Sequence, residues 1–494
     1  MTLTPLITAA EGFPALERLV ASAQKELVLS FRIIDPHTRL RAPELREQGL
    51  ATWGDLLADA ARRGVRLRLI LADFDPLFMP DLHRLAWASA SGFAEAADGD
   101  VQILCARHGQ KLGRVWQLIF GSMIREKVGE LAQDDPQRLT PVQRKIKDQR
   151  PTLYPVTLHQ KCAVADGRLC VIGGLDINER RFDDASHDRA PNQTWHDVSM
   201  KVSGDFAGTL RAHLADTWNA ALEAGAASLA GRAQPMDNSA IPQSTPDLRL
   251  VRTVSRPKLG ALAFGPTSLI TDHIKTLIAT IGAARRHIYI ETQFLRYQPI
   301  AKALADAAAN APELQLVILL PAAEDRVLFE GTRSWDARHG HALQMAALDQ
   351  LQTAYGERVA LVAPGQTAEK NHDGPLLYGA GPIYIHSKVL LIDDEVGLVG
   401  SANLNGRSML WDTEASVLFR DSAVVADLRR RLAGIWLGPD AEGADVTLAA
   451  TWNRAARANA ALSVEAREGF VLPFPMTPGR RFARRLPIVP DNFF

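Results

Sequence analysis

The chain has 494 residues, a length that suggests about two to four ordinary domains or one large duplicated domain. Its 56 lysine and arginine residues balance its 56 aspartate and glutamate residues, so no global basic field attracts nucleic acid. The three cysteines, Cys105, Cys162 and Cys170, are too few and too irregularly spaced for a disulfide framework or a zinc site.

The N-terminal segment, residues 1–20, lacks the basic start and the apolar stretch of a signal peptide. The sequence contains no run of about 18 uncharged apolar residues, so we expect no transmembrane segment. We therefore expect a protein that is cytoplasmic, or exported without a classical signal peptide, and that contacts membranes only peripherally.

The first half, residues 1–225, has the pattern of an α/β unit. Lys25–Asp35 is rich in strand-forming residues, and Trp53–Asp75 contains an amphipathic helix, a stop at Gly64 and a further strand. Residues 107–150 have no counterpart later in the chain. We predict that they form a helical, locally basic insertion.

Residues 226–250 are rich in Gly, Ala, Ser and Pro and are predicted to link the two halves. The second half, residues 251–440, repeats the earlier order, with a strand at Arg285–Leu295 followed by a helix and a strand within Pro299–Pro321. The tail, residues 441–494, is rich in Pro and Arg. We expect it to pack on the body as an irregular strap.

One motif occurs once in each half. The segment HQKCAVADGRLCVIGGLDIN, residues 159–178, aligns without a gap with HSKVLLIDDEVGLVGSANLN, residues 386–405. Each copy is followed by a strand that opens on an acidic residue, Asp197 in the first half and Glu414 in the second. The repeat therefore predicts a duplicated α/β protein.

Each motif begins with a histidine and a lysine two residues apart. On a strand, side chains two apart project from the same face, so His159 and Lys161 share one pocket, as do His386 and Lys388. Glycine-rich return strands are expected beside these side chains and let a phosphate approach the backbone closely. The return-strand residues of interest are Gly173, Gly174 and Asp176 in the first copy, and Gly400, Ser401 and Asn403 in the second.

The aspartate of each motif belongs to a turn. Asp166 is followed by Gly167, a strong hairpin signal, and Asp393 stands at the same place in the second copy. At about 3.3 Å per residue, each aspartate lies roughly 23 Å along the strand from its histidine. We therefore assign Asp166 and Asp393 a structural role.

These side chains suit the cleavage of a phosphodiester, which needs a nucleophile, a proton donor and positive charge at the phosphoryl oxygens. One neutral imidazole attacks phosphorus to form a phosphohistidine, and the other, protonated, donates to the leaving oxygen. Lys161, Lys388 and the amide of Asn403 are the candidate phosphate ligands. Asp197 and Glu414 are candidates for fixing the histidine tautomers. The mechanism requires no metal or other cofactor, and no metal-ligand spacing is evident.

The duplicated motif, of the form HxKxxxxD, resembles the phospholipase D superfamily over about residues 25–437. The first copy, with its GGLD and the following RRFDD, is most similar to eukaryotic-type phospholipases D, as is the strand IYIETQFL. Asp176 stands where many members carry asparagine, and eukaryotic-type phospholipases D often have aspartate at that position too. The resemblance implies a phospholipase D-like fold of two pseudo-symmetric α/β halves with mixed sheets and the active site at their interface. It also implies that His159 is the nucleophile and His386 the acid.

The resemblance implies hydrolysis of glycerophospholipid headgroups, or transfer of the phosphatidyl group to an alcohol. The alternatives are a cardiolipin synthase-like phosphatidyltransferase and a nuclease on the same fold. The neutral charge disfavours the nuclease, and the missing membrane segments and eukaryotic-type first motif disfavour the cardiolipin synthase-like enzyme. We expect a phospholipid substrate at a membrane surface, no nucleic acid partner, and a site complete within one monomer.

Two further features carry open alternatives. Glu291 and Gln293 lie on one strand face, where they either bind substrate or are ordinary polar residues at a sheet edge. The segment Arg107–Val128 mixes basic and large apolar residues. It fits an amphipathic helix that meets lipid at the active-site mouth, and equally a core-packed helix with a solvated basic face.

Overall fold

A computed structural model of the chain describes residues 2–148, 151–238, 245–368, 374–486 and 489–494. Within these residues the strands form two mixed sheets, of eight and nine strands, and helices pack on both. The predicted class, two mixed-sheet α/β halves, is confirmed. No helix in the described ranges is both long enough and apolar enough to cross a membrane.

The first sheet has the spatial order β1-β7-β6-β5-β2-β3-β4-β8. Its strands are β1 (Leu3–Ile7), β2 (Glu26–Phe31), β3 (Arg66–Ala72), β4 (Val101–Ala106), β5 (Cys162–Ala165), β6 (Leu169–Gly173), β7 (Val198–Ser203) and β8 (Ala227–Ser228). The pairs β2–β3 and β3–β4 are parallel, and the other pairs are antiparallel. The motif hairpin, β5 and β6, therefore lies near the centre of the sheet.

The second sheet has the order β10-β9-β16-β15-β14-β11-β12-β13-β17. Its strands are β9 (Leu248–Arg256), β10 (Thr267–Thr271), β11 (His287–Glu291), β12 (Gln315–Leu319), β13 (Val359–Pro364), β14 (Val389–Ile392), β15 (Val396–Gly400), β16 (Glu414–Phe419) and β17 (Val471–Pro473). Six consecutive strands, β16 to β13, reproduce the order and directions of β7 to β4 in the first sheet. The sequence repeat thus corresponds to a structural one.

The helices connect and cover these strands. They are α1 (Thr8–Ser22), α2 (Pro43–Glu47), α3 (Trp53–Arg62), α4 (Pro80–Ala96), α5 (Arg114–Ile119), α6 (Gly121–Gln133), α7 (Pro141–Asp148), α8 (Asp205–Glu223), α9 (Asp272–Ala283), α10 (Gln298–Asn310), α11 (Asp325–Phe329), α12 (Trp335–Tyr355), α13 (Gly406–Leu410), α14 (Ser422–Leu437), α15 (Ala449–Ala461) and α16 (Met476–Phe482). The start of α3 illustrates the local logic, because Thr52 and Asp55 form a reciprocal capping box.

Apolar side chains from both sheets meet in one shared core. This core contains Trp218 of α8 and Trp436 of α14 together with strand residues such as Val164 and Val399. The outer face of the first sheet has its own core under α1, α3 and α4, and that of the second under α9, α10 and α12. The faces that meet are therefore fixed relative to each other by close packing.

Two predicted segments are more regular than expected. The predicted linker, residues 226–250, contains β8 and the start of β9, and its residues 239–244 lie outside the described part. The tail is not an irregular strap, because its alanine-rich stretch forms α15 and β17 adds an edge strand beside β13. The insertion is helical as predicted, with α5, α6 and α7, and its residues 149 and 150 lie outside the described part.

Candidate active site

The two histidine-lysine segments lie where the halves meet. Each forms a short parallel bridge to the other half, Leu158 with Thr413 and Ile385 with His196. The backbone N–H of His159 donates to the carbonyl of Thr413 over 2.9 Å, and that of His386 donates to the carbonyl of His196 over 2.8 Å. Each segment therefore runs beside the residue that precedes the acidic residue of the opposite half.

As a result, each histidine contacts the acidic residue of the opposite half. The Nδ1 atom of His159 lies 3.0 Å from Oε1 of Glu414, and Nδ1 of His386 lies 2.7 Å from Oδ2 of Asp197. A carboxylate beside Nδ1 favours the tautomer that carries its proton there, which leaves Nε2 with a free lone pair. The sequence named both acids but did not indicate which histidine each one contacts.

Both acids are buried and held by further hydrogen bonds. Glu414 accepts from the hydroxyls of Ser401 and Ser408, the latter over 2.6 Å. Asp197 accepts from the backbone N–H of Val198 over 3.0 Å. Burial raises the pKa of Glu414. Burial also raises the pKa of Asp197, to about 6, so Asp197 is predominantly ionised near neutral pH.

The two lysines are enclosed beside the histidines. The Nζ atom of Lys161 donates to the carbonyl of His159 over 2.6 Å, and Nζ of Lys388 donates to the carbonyl of His386. Burial lowers the pKa of Lys161 and lowers the pKa of Lys388 to about 7. An anion entering this site would stabilise the charged form of both lysines.

The histidines are neutral in this environment. Burial lowers the pKa of His159 well below its usual value, and the charges of Lys161 and Arg32 lower it further. Burial does the same to the pKa of His386, reinforced by Lys388 and Lys161. The His159 side chain is 11% exposed and that of His386 is 2% exposed, so His159 is the more accessible of the two.

The glycines of the motifs serve a purpose different from the expected one. A Cβ atom on Gly174 would lie 2.1 Å from Oδ1 of Asp197, and Cβ atoms on Gly173 and Gly400 would overlap Ser199 and Ser416. The prediction that these glycines open space for a phosphate is therefore wrong. They make room for side chains of β7 and β16, and at Gly174 this includes the acid that contacts His386.

The two motif aspartates lie at the hairpin turns, where the sequence places them. The carboxylate of Asp166 accepts from the backbone N–H groups of residues 24, 25 and 26, at the start of β2. That of Asp393 accepts from the N–H groups of residues 285, 286 and 287, at the start of β11. Each aspartate thus ties its hairpin to the neighbouring strand.

Glu291 does not line the pocket. It is fully buried and accepts hydrogen bonds from the hydroxyls of Tyr289 and Ser387 and from the indole N–H of Trp436. The prediction that Glu291 contacts substrate is therefore wrong, because both oxygens of its buried carboxylate accept hydrogen bonds from protein groups. Gln293 lies beyond the end of β11 and donates to the hydroxyl of Tyr384 over 2.8 Å. A substrate contact by Gln293 stays a prediction.

Asp176 and Asn403 hold equivalent places in the two motifs but have different surroundings. Asp176 accepts from the backbone N–H of Ile33 over 2.8 Å and lies 3.8 Å from Nε of Arg181. Its pKa is lowered despite burial, chiefly by the charge of Lys161. The side-chain oxygen of Asn403 is buried with no hydrogen-bond partner among the described residues.

Sequence reasoning missed two arginines beside the site. Burial lowers the pKa of Arg32, whose charge acts on His159, and lowers the pKa of Arg181 to about 10, whose charge acts on His386. Arg181 also lies over the ring of Trp195 at 4.7 Å. In the second half the equivalent positions carry Gln293 and Ser408. A comparison of the positions where the repeats differ would have found both arginines.

Comparisons with known proteins show which family and fold the chain is similar to. Residues 277–436 match the family model described as "Cardiolipin synthase, PLD-like domain". "Cardiolipin synthase A" of Pseudomonas fluorescens is 24% identical over 276 residues, covering 56% of this chain and 46% of that protein. "Phospholipase D1" of Schizosaccharomyces pombe is 24% identical over 354 residues, covering 54% of this chain and 25% of that protein. The chain thus spans less than half the length of these curated relatives.

The crystal structure of phosphatidylserine synthase from Haemophilus influenzae has the same fold. It superposes with a TM-score of 0.53 and covers 88% of this chain and 86% of that one, at 12% sequence identity. The family match, the curated relatives and this fold point to one assignment. The chain belongs to the phospholipase D superfamily.

Proposed function

We propose that the chain cleaves a phospholipid phosphodiester through a phosphohistidine and transfers the phosphatidyl group to an alcohol, with water as the lesser acceptor. The observation that carries the proposal is the crossed pairing of His159 with Glu414 and His386 with Asp197. Two imidazoles, each oriented by a carboxylate, supply the nucleophile and the proton donor that a diester requires.

In the first step, Nε2 of His159 attacks phosphorus and forms a P–N bond. The P–O bond to the departing alcohol breaks, and protonated His386 donates its proton to that oxygen. His386 is neutral in the unliganded site, so it takes up this proton as the anionic substrate binds and raises its pKa. Glu414 stabilises the positive charge that develops on His159.

In the second step, neutral His386 accepts a proton from the incoming alcohol. The oxygen of that alcohol attacks phosphorus, the P–N bond breaks, and His159 returns to its neutral form. The proton returns to His386, so the site is ready for another diester. The same group acts as acid and then as base, as microscopic reversibility requires.

The charge of the site suits a diester anion. Four cationic side chains, Lys161, Lys388, Arg32 and Arg181, lie among three carboxylates, Asp176, Asp197 and Glu414. When all seven groups are charged, the cations exceed the carboxylates by one, and a phosphodiester carries one negative charge. The low exposure of the site strengthens these interactions and limits the access of water.

We favour transfer of the phosphatidyl group to an alcohol over its hydrolysis for two reasons. Several curated relatives bear the name cardiolipin synthase, as does the matched family model. The enclosed histidines also disfavour attack by bulk water. Both reasons favour the phosphatidyltransferase alternative over the headgroup hydrolysis that the first motif suggested.

The test is product analysis by mass spectrometry. The chain is incubated with phosphatidylglycerol, phosphatidylethanolamine and phosphatidylcholine, with and without an added primary alcohol, and in parallel with single-stranded DNA. We expect a new phosphatidyl ester that depends on the alcohol, and its loss in His159→Ala and His386→Ala. His37→Ala, at an exposed histidine, is the matched control. DNA cleavage without lipid turnover would contradict the proposal.

A further inference from the structure

Five large apolar side chains are exposed on one surface, here called the apolar patch. Val115, Leu118 and Ile119 come from α5, and Leu259 and Leu262 come from the loop between β9 and β10. Their exposed fractions are 37%, 72%, 52%, 90% and 74% respectively. A cluster of exposed apolar side chains on a protein surface marks a site of interaction.

The two segments form one continuous surface although they come from different halves. The N–H of Gly113 donates to the carbonyl of Ala263 over 2.7 Å, and the N–H of Val115 donates to that of Ala261 over 3.0 Å. A Cβ atom on Gly113 would lie 2.4 Å from the Ala261 oxygen, so glycine permits this close approach. The patch is therefore built by specific backbone contacts.

Trp116 of α5 joins the two segments of the patch. The indole N–H of Trp116 donates to the carbonyl of Leu262 over 3.0 Å, and its ring packs edge-on against Phe264 with centroids 4.8 Å apart. Phe264 belongs to a buried apolar cluster, and the partly buried Trp116 packs against that cluster. These contacts anchor both segments of the patch to the body of the protein.

The surrounding charge is entirely positive along both segments. Residues 101–125 and 248–271 contain no aspartate or glutamate. The basic residues nearest the patch are exposed: Lys111, Arg114, Arg256 and Lys258. Protruding leucines between exposed basic residues suit a bilayer that contains anionic lipids, because the side chains enter the interface while the charges meet headgroups.

The patch is connected to the candidate active site. Phe264 packs against Trp411 with ring centroids 6.0 Å apart. Trp411 directly precedes Asp412, which accepts from the backbone N–H of Thr157 over 3.0 Å, and Thr413, whose carbonyl accepts from His159. The patch is thus joined through Phe264 and Trp411 to the loop that also supports His159.

We propose that α5 and the β9–β10 loop form the surface by which this chain docks on anionic bilayers. The inference deepens the proposed function, because it names the surface from which a lipid substrate would enter. Of the two readings of Arg107–Val128, it selects the lipid-facing one for α5.

The test measures partition onto sedimenting vesicles of phosphatidylcholine alone and of phosphatidylcholine with phosphatidylglycerol. We expect the wild-type chain to bind the mixed vesicles, and Leu259→Ser with Leu262→Ser to lower the partition coefficient roughly tenfold or more. Lys111→Ser with Arg114→Ser should lower it about tenfold and weaken its salt dependence. Leu448→Ser with Leu462→Ser is the matched control, because these leucines are exposed elsewhere.

Binding is measured also with His159→Ala, so that the result does not depend on turnover. If this variant binds vesicles but the wild-type chain forms no product from phospholipid, the proposed function is overturned and the docking surface is supported. Equal partition of the wild-type chain and the Leu259/Leu262 variant would overturn the docking surface. The docking surface would also be overturned if the wild-type chain binds no vesicles and forms a dimer that the Leu259/Leu262 variant does not form.

Discussion

His386 and Asp197 are separated by 189 residues and belong to opposite halves, yet their Nδ1 and Oδ2 atoms lie 2.7 Å apart. Gly174 permits this contact, because any larger residue there would occupy the space of the carboxylate. Neither half therefore contains a complete histidine-acid pair. The site can therefore form only when both copies of the fold are present and packed together.

Replacing Asp197 by Asn should impair chemistry more than folding. Asparagine keeps the shape but removes the charge that fixes the His386 tautomer and stabilises its protonated form. We expect kcat/KM to fall on the order of 10³-fold while the melting temperature stays close to that of the wild type. Steady-state kinetics and thermal unfolding measure the two effects. The exposed Asp205→Asn is the control, and near-normal kcat/KM in Asp197→Asn would contradict this role.

Replacing Asp393 by Ala should impair folding more than chemistry. The change leaves three backbone N–H groups at the start of β11 without their acceptor. We expect the free energy of unfolding to drop by about 3 kcal/mol, with kcat/KM per folded molecule nearly unchanged. Urea unfolding and kinetics on the purified folded fraction provide the measurement. Asp166→Asn should likewise lower the free energy of unfolding and leave kcat/KM nearly unchanged. A selective loss of kcat/KM in either variant would refute the structural assignment.

The activity should persist at a lower pH than an ordinary histidine allows. The nucleophile reacts as neutral imidazole, and the pKa of His159 is lowered by burial, Lys161 and Arg32. The acid limb of the kcat/KM profile should therefore lie below pH 6.5. Arg32→Met removes one of the lowering charges, so its limb should move to higher pH, whereas the exposed Arg39→Met should not move it. An unmoved limb in Arg32→Met would contradict the electrostatic role of this arginine.

Stability should fall as the pH falls below 6.5. Burial lowers the pKa of His273 to about 4 and that of His213 to about 3, while each unfolded histidine titrates near about 6.5. The unfolded chain then binds more protons, so the stability present above pH 6.5 is lost toward pH 4. Each histidine contributes a slope of about 1.4 kcal/mol per pH unit.

His273→Gln tests this linkage, since glutamine can keep polar contact with Thr253 and Ser416 without titrating. Its free energy of unfolding should depend less steeply on pH between 6.5 and 4 than that of the wild type. His37→Gln, at an exposed position, should keep the wild-type slope. A wild-type unfolding free energy that stays constant over this range would show that these histidines are not buried in the neutral form.

The sequence predicts the parts of the site that depend on local pattern. The repeat identifies both halves, the spacing of two residues places each lysine beside its histidine, and the Asp166–Gly167 turn places the first motif aspartate. These features follow from strand periodicity and turn preference. They need no knowledge of how the sheets pack.

Features that depend on tertiary contacts escaped the same reasoning. The crossing of His159 to Glu414 arises from the bridge between Leu158 and Thr413, which joins residues far apart in sequence. Burial of Glu291 under Trp436 likewise depends on the position of α14. Arg32 lies outside the motif, so it is found only when the comparison of the two halves is extended to the strands that precede each motif.

The most direct test of the account is to trap the covalent intermediate. His386→Ala is mixed rapidly with a p-nitrophenyl phosphodiester, whose leaving group needs no protonation, and the quenched chain is digested and analysed by mass spectrometry. We expect a phosphoryl adduct on the peptide that contains His159, and none in His159→Ala. An adduct on another residue, or an unchanged adduct in His159→Ala, would contradict it.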